Sequence, residues 1–133
     1  DHIDKGDILL ITAEDNLMVN ALQRIAAVVM QKSTREGFGL TVTEALWKQR
    51  PVVASNVGGI PNQVIHNETG LLVDPTNFDE CAEAVLKILK DQKFADTIAK
   101  NAKEFVREKF LITRHVLDYI DMLNELINRT AGC

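Results

Sequence analysis

Ser33-Thr-Arg-Glu-Gly-Phe-Gly-Leu-Thr-Val-Thr-Glu44 is the stretch on which the fold turns. It follows an apolar run, Ala26-Ala-Val-Val-Met30, and leads into a segment, Thr41 to Lys48, with helical character. Strand, glycine-bearing loop and helix N-terminus, in that order, bring backbone N–H groups and the positive end of a helix dipole to one point, an arrangement suited to a diphosphate. Two carboxylates, Glu36 and Glu44, flank the Gly-Phe-Gly turn with seven residues between them.

Outward from this stretch the grammar repeats. Asp7-Ile-Leu-Leu-Ile-Thr12 reads as a buried strand, and Asp15-Asn16 can cap a helix from Leu17 to Ile25. Ala26 to Met30 is a second strand and Pro51-Val-Val-Ala-Ser55 a third, after Gln49-Arg50-Pro51 ends the intervening helix. Gly58-Gly59 marks a loop, Pro61 suits the first turn of a short helix through Ile65, Asn67 to Gly70 is a turn, and Leu71-Leu-Val73 is a fourth strand stopped by Asp74-Pro75. Beyond it Phe78 to Lys90, Phe94 to Lys109 and Thr113 to Asn128 show helical spacing. Strands alternating with helices predict an α/β, Rossmann-like, three-layer domain with a parallel sheet of about four strands and a helical C-terminus. Continuous apolar strands fit a sheet covered on both faces.

The 133 residues make one domain, with 46% hydrophobic and 26% charged residues. A net charge of −4 with no basic stripe argues against nucleic acid as a partner. No apolar run of membrane length and no signal-peptide pattern is present, so the expected compartment is cytoplasmic and no membrane partner is expected. Cys81 is expected to be a buried thiol and Cys133 to fray. His2, His66 and His115 lack metal-ligand spacing.

Chemically, Gly37 and Gly39 let the backbone approach a ligand, and the amides from Leu40 to Val42 are unpaired at a helix start. Carboxylates accept from sugar hydroxyls, so a phosphate-binding turn with Glu on each side suits a sugar–diphosphate–ribose molecule. Plainer readings stay open at each residue. Thr41-Val-Thr-Glu44 matches a capping box, in which Glu44 only ties back its own helix. Glu36 and Arg35 can be solvated loop charges, Phe38 can plug the core, and Trp47 is expected to pack between helix and sheet. Asn67-Glu-Thr69 fits a glycosylation sequon and is read as a turn.

Glu36-Gly-Phe-Gly through Glu44, Arg50-Pro-Val-Val-Ala-Ser-Asn-Val-Gly-Gly-Ile-Pro61 and Asn67-Glu-Thr-Gly-Leu-Leu-Val-Asp-Pro75 resemble the retaining, GT-B-fold glycosyltransferases of family 4, also called glycosyl transferases group 1. The resemblance covers nearly the whole chain and implies that residues 1–133 are most of the C-terminal, nucleotide-sugar-binding, Rossmann-like domain, truncated on its N-terminal side. Val19 to Arg24 and Arg35 to Lys48 look most like the trehalose glycosyltransferring synthases, although many relatives carry Pro and Leu at Thr41 and Thr43. The resemblance implies a donor substrate, ADP-, GDP- or UDP-glucose, with no cofactor and no metal. Transfer would be retaining, to a sugar acceptor held by a missing N-terminal domain, with glucose as acceptor giving trehalose.

Carried over by position, Glu36 is the catalytic-site residue, binding donor-sugar hydroxyls rather than acting as a nucleophile. Gly37, Phe38 and Gly39 line the sugar pocket, Leu40 and Thr41 meet the diphosphate, Glu44 takes the ribose, and Thr12 and Ala13 sit near the base. Two departures stand out. Asn62 occupies a position where the family usually has Glu, and the family's diphosphate-clamping Arg and Lys belong to segments upstream of this chain. A donor-binding fragment inactive alone is therefore the competing expectation. A nucleotide-sugar epimerase, which shares the architecture, is disfavoured by the Glu-Gly-Phe-Gly string with Glu44. An open strand edge and the apolar face of the last helix lead us to expect a homodimer.

Overall fold

The computed structural model describes residues 2–12 and 14–131, with side chains described through Arg129. Ala13 and Cys133, each the subject of an expectation above, lie outside the described residues. The elements run α1 (Asn16–Ile25), β1 (Val29–Gln31), α2 (Leu40–Trp47), β2 (Val52–Ser55), a 3₁₀ turn (Ile60–Asn62), β3 (Leu71–Val73), α3 (Phe78–Lys90), α4 (Gln92–Lys109) and α5 (Ile112–Ala131).

The three described strands form one parallel sheet in the order β1-β2-β3, with Val29 opposite Val52 and Val53 opposite Leu71. β2 is central and every one of its residues is buried. Its alternation divides the core. Val52 and Ala54 pack with Val42, Ala45 and Leu46 of α2, while Val53 packs with Cys81, Ala84 and Ile88 of α3. Helix α4 contributes to both sides, Ile98 to the second cluster and Ala102 and Val106 to the first. The sheet is thus covered on two faces, and the three-layer α/β expectation holds. Cys81 is buried, as expected, and its thiol lies 3.6 Å from the Asp74 carbonyl.

Helix ends follow local chemistry. Asp15 caps α1 by accepting from the amides of Leu17 and Met18, Asn77 caps α3 through Glu80 N–H, and Asp91 caps α4 through Phe94 N–H. The expected helix from Pro61 through Ile65 is a single 3₁₀ turn, ending at Asn62 with Gln63 as its C-cap.

The expected strand Asp7–Thr12 is not one. It forms no ladder with β1, β2 or β3, and Leu9 and Leu10 are 77% and 73% exposed. The described sheet therefore has three strands, where about four were expected. The reason is physical: apolarity marks a strand as suited to burial but does not name its neighbour, and consecutive strands in a doubly wound sheet need not be adjacent. The run's amides at Asp7 and Ile8 donate to the His2 carbonyl instead, in a local turn rather than a ladder. The apolar face of α5, including Val116, Leu117, Ile120 and Leu123, is about half exposed along its length. Trp47 also departs from expectation. Its ring is 42% exposed, and Lys103 Nζ of α4 sits 5.9 Å from its centroid. No described helix is long and apolar enough to cross a membrane.

Candidate functional site

The loops leaving the carboxyl ends of β1, β2 and β3 gather on one side of the sheet. Two adjoining cavities of about 510 and 400 Å³ open there and share Thr34 and Val57. The smaller is lined by Arg35, Glu36, Gly37 and Gly58, and the larger by Asn56, Asp74, Thr76 and Glu80 among others. This is where ligands bind in open α/β sheets.

Glu36 is held from two sides. Its Oε1 accepts from the Gly37 amide at 3.1 Å and its Oε2 from Gln31 Nε2 at 3.2 Å, while the same Gln31 amide donates to Ser33 Oγ at 2.8 Å. The carboxylate is partly exposed, so its remaining lone pairs face the cavity and can accept from a ligand's hydroxyls.

Gly39 is the N-cap of α2 at φ +86°, a left-handed conformation that glycine takes without penalty, and it offers no side-chain cap. The first helical bonds run from the amides of Val42 and Thr43 to the Gly39 carbonyl. The amides of Leu40 and Thr41 are left pointing out of the helix start, where an anion is favoured. Phe38 is 45% exposed, its ring 6.1 Å from that of Phe110, so it does not plug the core.

Glu44 makes no capping box. Thr41 lies inside α2 rather than at its cap, and Glu44 Oε2 instead accepts from Gln23 Nε2 of α1 at 3.1 Å. Gln23 is buried and also accepts from Lys48 Nζ, which lies 4.0 Å from Glu44 Oε2. The Glu44 side chain is half exposed. It lines neither cavity around Glu36. Thr12 is exposed and lines neither as well, and Asn62 is exposed on the 3₁₀ turn.

Three features escaped the sequence. The Gly58-Gly59 loop presses on the Glu36 loop: a Cβ on Gly58 would fall 1.7 Å from the Glu36 carbonyl oxygen, and Gly59 N–H donates to the Gly37 carbonyl at 3.0 Å. The glycine pair was legible as a loop but not as a clamp. Gln63 and Gln31 hold the same segment, and nothing in their spacing signalled it. The third is Asp74, read only as a stop. Its carboxylate accepts from the Thr76 hydroxyl at 2.7 Å and the Thr76 amide at 2.8 Å, and these bonds, the hydroxyl's first, lower its pKa below the ordinary 3.8.

A depressed carboxylate contributes stability that is present above its unfolded pKa and lost as pH falls through the folded one. Wild type is therefore expected to lose part of its advantage over Asp74→Asn between pH 5 and pH 3, roughly the span across the carboxylate's titration. Urea midpoints at those pH values check this, and a constant difference would refute it. Among the described residues no group of three or more His, Cys, Asp or Glu side chains is placed to hold a metal ion.

Comparison with known proteins agrees with this geometry. The profile of the glycosyl transferases group 1 family matches residues 8–105. Trehalose synthase of Thermococcus litoralis is 49% identical over 106 residues, which is 80% of this chain and 25% of that protein. Among solved structures, sucrose-phosphate synthase from Thermosynechococcus elongatus superposes with a TM-score of 0.80 at 33% identity, covering 95% of this chain and 32% of that one. Anabaena HepE in complex with UDP-glucose superposes with a TM-score of 0.73 at 27% identity, covering 80% of this chain and 30% of that one. The chain thus spans about a quarter of the length of the trehalose synthases it matches. The profile match takes in β1 to β3, the Glu36 loop and most of α4, and on that footing the chain belongs to the glycosyl transferases group 1 family.

Proposed function

We propose that this chain is the donor-binding part of a retaining glycosyltransferase and that its donor is a nucleoside-diphosphate glucose. The observation that carries the reading is that Glu36, on the cavity at the carboxyl end of the sheet, meets the start of α2 at Gly39, the helix N-cap, where an added Cβ would lie 3.4 Å from Glu36 Cγ. The helix start receives the diphosphate. Glu36 and the backbone of Gly37, Phe38 and Gly39 receive the sugar, and Glu44 receives the ribose. Thr12 and Ala13 are assigned to the base only by resemblance.

Glucose as acceptor and trehalose as product rest on the likeness to trehalose synthases. Transfer itself calls for an acceptor-binding domain and for cations to neutralise the leaving diphosphate, a contribution worth several kcal/mol in related chemistry. The isolated chain is accordingly expected to bind donor without turning it over, and trehalose formed from donor plus glucose by this chain alone would overturn that part. Residence in the cytoplasm and pairing with a second copy belong to the same reading, and light scattering at high concentration tests the pairing.

Calorimetric titration with ADP-, GDP- and UDP-glucose tests the proposal directly. At least one is expected to bind, and the corresponding free nucleotide is expected to bind more weakly. Absence of binding by all three would reject the donor assignment. Glu44→Ala is expected to weaken the preferred donor and its free nucleotide alike, by about tenfold, because both carry the ribose. Unchanged affinities would leave Glu44 as the α1–α2 tie seen with Gln23.

A further inference from the structure

Gln63 follows the 3₁₀ turn and is completely buried. A buried primary amide must find partners for both ends. Its Nε2 donates to the backbone carbonyl of Phe38, and its Oε1 accepts from the Thr43 hydroxyl of α2. One side chain therefore joins the middle of the Gly-Phe-Gly turn to the helix that follows it. The turn has glycine on both sides of Phe38 and so has the freest backbone in the site. A second contact from the same neighbouring loop is the Gly59 N–H bond to the Gly37 carbonyl.

We propose that Gln63 is a positioning residue for the donor-sugar loop. Its amide holds the Phe38 carbonyl, and through it sets where Gly37 to Gly39 and the Glu36 carboxylate meet the hexosyl group. Gln is suited to the task because one planar head both donates and accepts at the required reach. Asn is a methylene shorter, Met has no donor and only a weakly accepting sulfur, and Leu has neither. A ligand-binding group held in place before the ligand arrives loses less entropy on binding. The inference rests on the reading that the Glu36 loop meets the sugar. The tether itself is independent of that reading.

Two measurements on the full chain separate the two ideas. The first is hydrogen exchange of the Gly59 amide without ligand, followed by NMR. The second is titration with UDP-glucose and with UDP. Gln63→Met is expected to fold cooperatively, to speed exchange at Gly59 about tenfold while the β2 amides keep their protection, and to weaken UDP-glucose about tenfold with UDP changed less than about twofold. Unaltered Gly59 exchange, or equal losses for both ligands, would overturn the proposal. If wild type binds neither ligand, ADP-glucose with ADP and GDP-glucose with GDP take their place; if it binds none of these donors, the sugar-site reading fails separately and Gly59 exchange alone decides the tether.

Gln63→Glu supplies a second handle should the Met variant fail to fold. The introduced carboxyl can donate to Phe38 only when protonated, so Gly59 protection should fall as pH rises across about 5 to 9, the range of buried carboxyls. The same series on wild type corrects for the intrinsic pH dependence of exchange. A corrected protection that does not change with pH would count against the tether.

Discussion

Gly58→Ala is expected to cost about 3 kcal/mol of folding stability or more and to remove measurable donor binding, by displacing the Glu36 loop rather than by touching the ligand. The added methyl would sit 1.7 Å from the Glu36 carbonyl oxygen and 2.9 Å from its carbon, distances no Cβ tolerates against backbone. Gly58 also holds φ at +56°, a conformation that costs an L residue about 1–2 kcal/mol on its own. Relief requires the 58–59 loop and the 36–37 loop to part, and the Gly59 bond to the Gly37 carbonyl is then lost. Gly37→Ala is the matched control. Its Cβ meets nothing within 4 Å and its φ carries no left-handed penalty, so stability should change by less than about 0.5 kcal/mol. Urea unfolding of both variants reads the difference. A loss below about 1 kcal/mol at Gly58 would mean that the two loops are not in firm contact.

Glu36→Ala should produce the largest change in recognition with little change in stability. The carboxylate is partly exposed and its protein partners, Gln31 and the Gly37 amide, can turn to water when it is gone. Hydrogen bonds from a charged acceptor to ligand hydroxyls are worth about 1.5–3 kcal/mol, so UDP-glucose affinity should fall roughly 10- to 100-fold. UDP, which lacks the sugar, should bind as in wild type. Side-by-side calorimetry gives the comparison, with a urea midpoint to confirm the fold. Equal losses for both ligands would move Glu36 from the sugar to the nucleotide, and no loss for either would make it a solvated loop charge. Together with Glu44→Ala, whose effect should be common to both ligands, this assigns the two carboxylates to different halves of the donor.

Much of this was legible in order along the chain. At the apolar runs 26–30, 51–55 and 71–73 the structure has strands: Val52–Ser55 is buried throughout and Leu71–Val73 nearly so, while Val29–Gln31 is only partly buried, with Met30 40% exposed. Asp15 announces a helix start by supplying the side-chain oxygen that an orphan amide needs, and the structure adds Asn77 and Asp91 in the same role. The Gly-Phe-Gly loop lies, as read, at the carboxyl end of the sheet, beside a cavity lined by Glu36 and Gly37. Where local reasoning failed, two answers of similar local merit competed. Thr41 to Glu44 satisfies the capping-box pattern, yet the helix is capped two residues earlier by a left-handed Gly39, and Glu44 turns to Gln23. Asp7–Thr12 satisfies the pattern of a buried strand, yet none of the described strands pairs with it.

The sequence by itself determined most element types, the α/β class, the family and the loop proposed to carry the site. Each of these depends on interactions within a few residues or on a string long enough to be specific. Only the tertiary structure decided what holds that loop: the Gly58-Gly59 backbone against Glu36 and Gly37, the Gln31 amide on the carboxylate, and the Gln63 amide between Phe38 and Thr43. The contacts from Gly58, Gly59 and Gln63 join segments some twenty residues or more apart. Whether they form is settled by how β1 and β2 sit side by side, which a glycine pair or a lone glutamine does not encode.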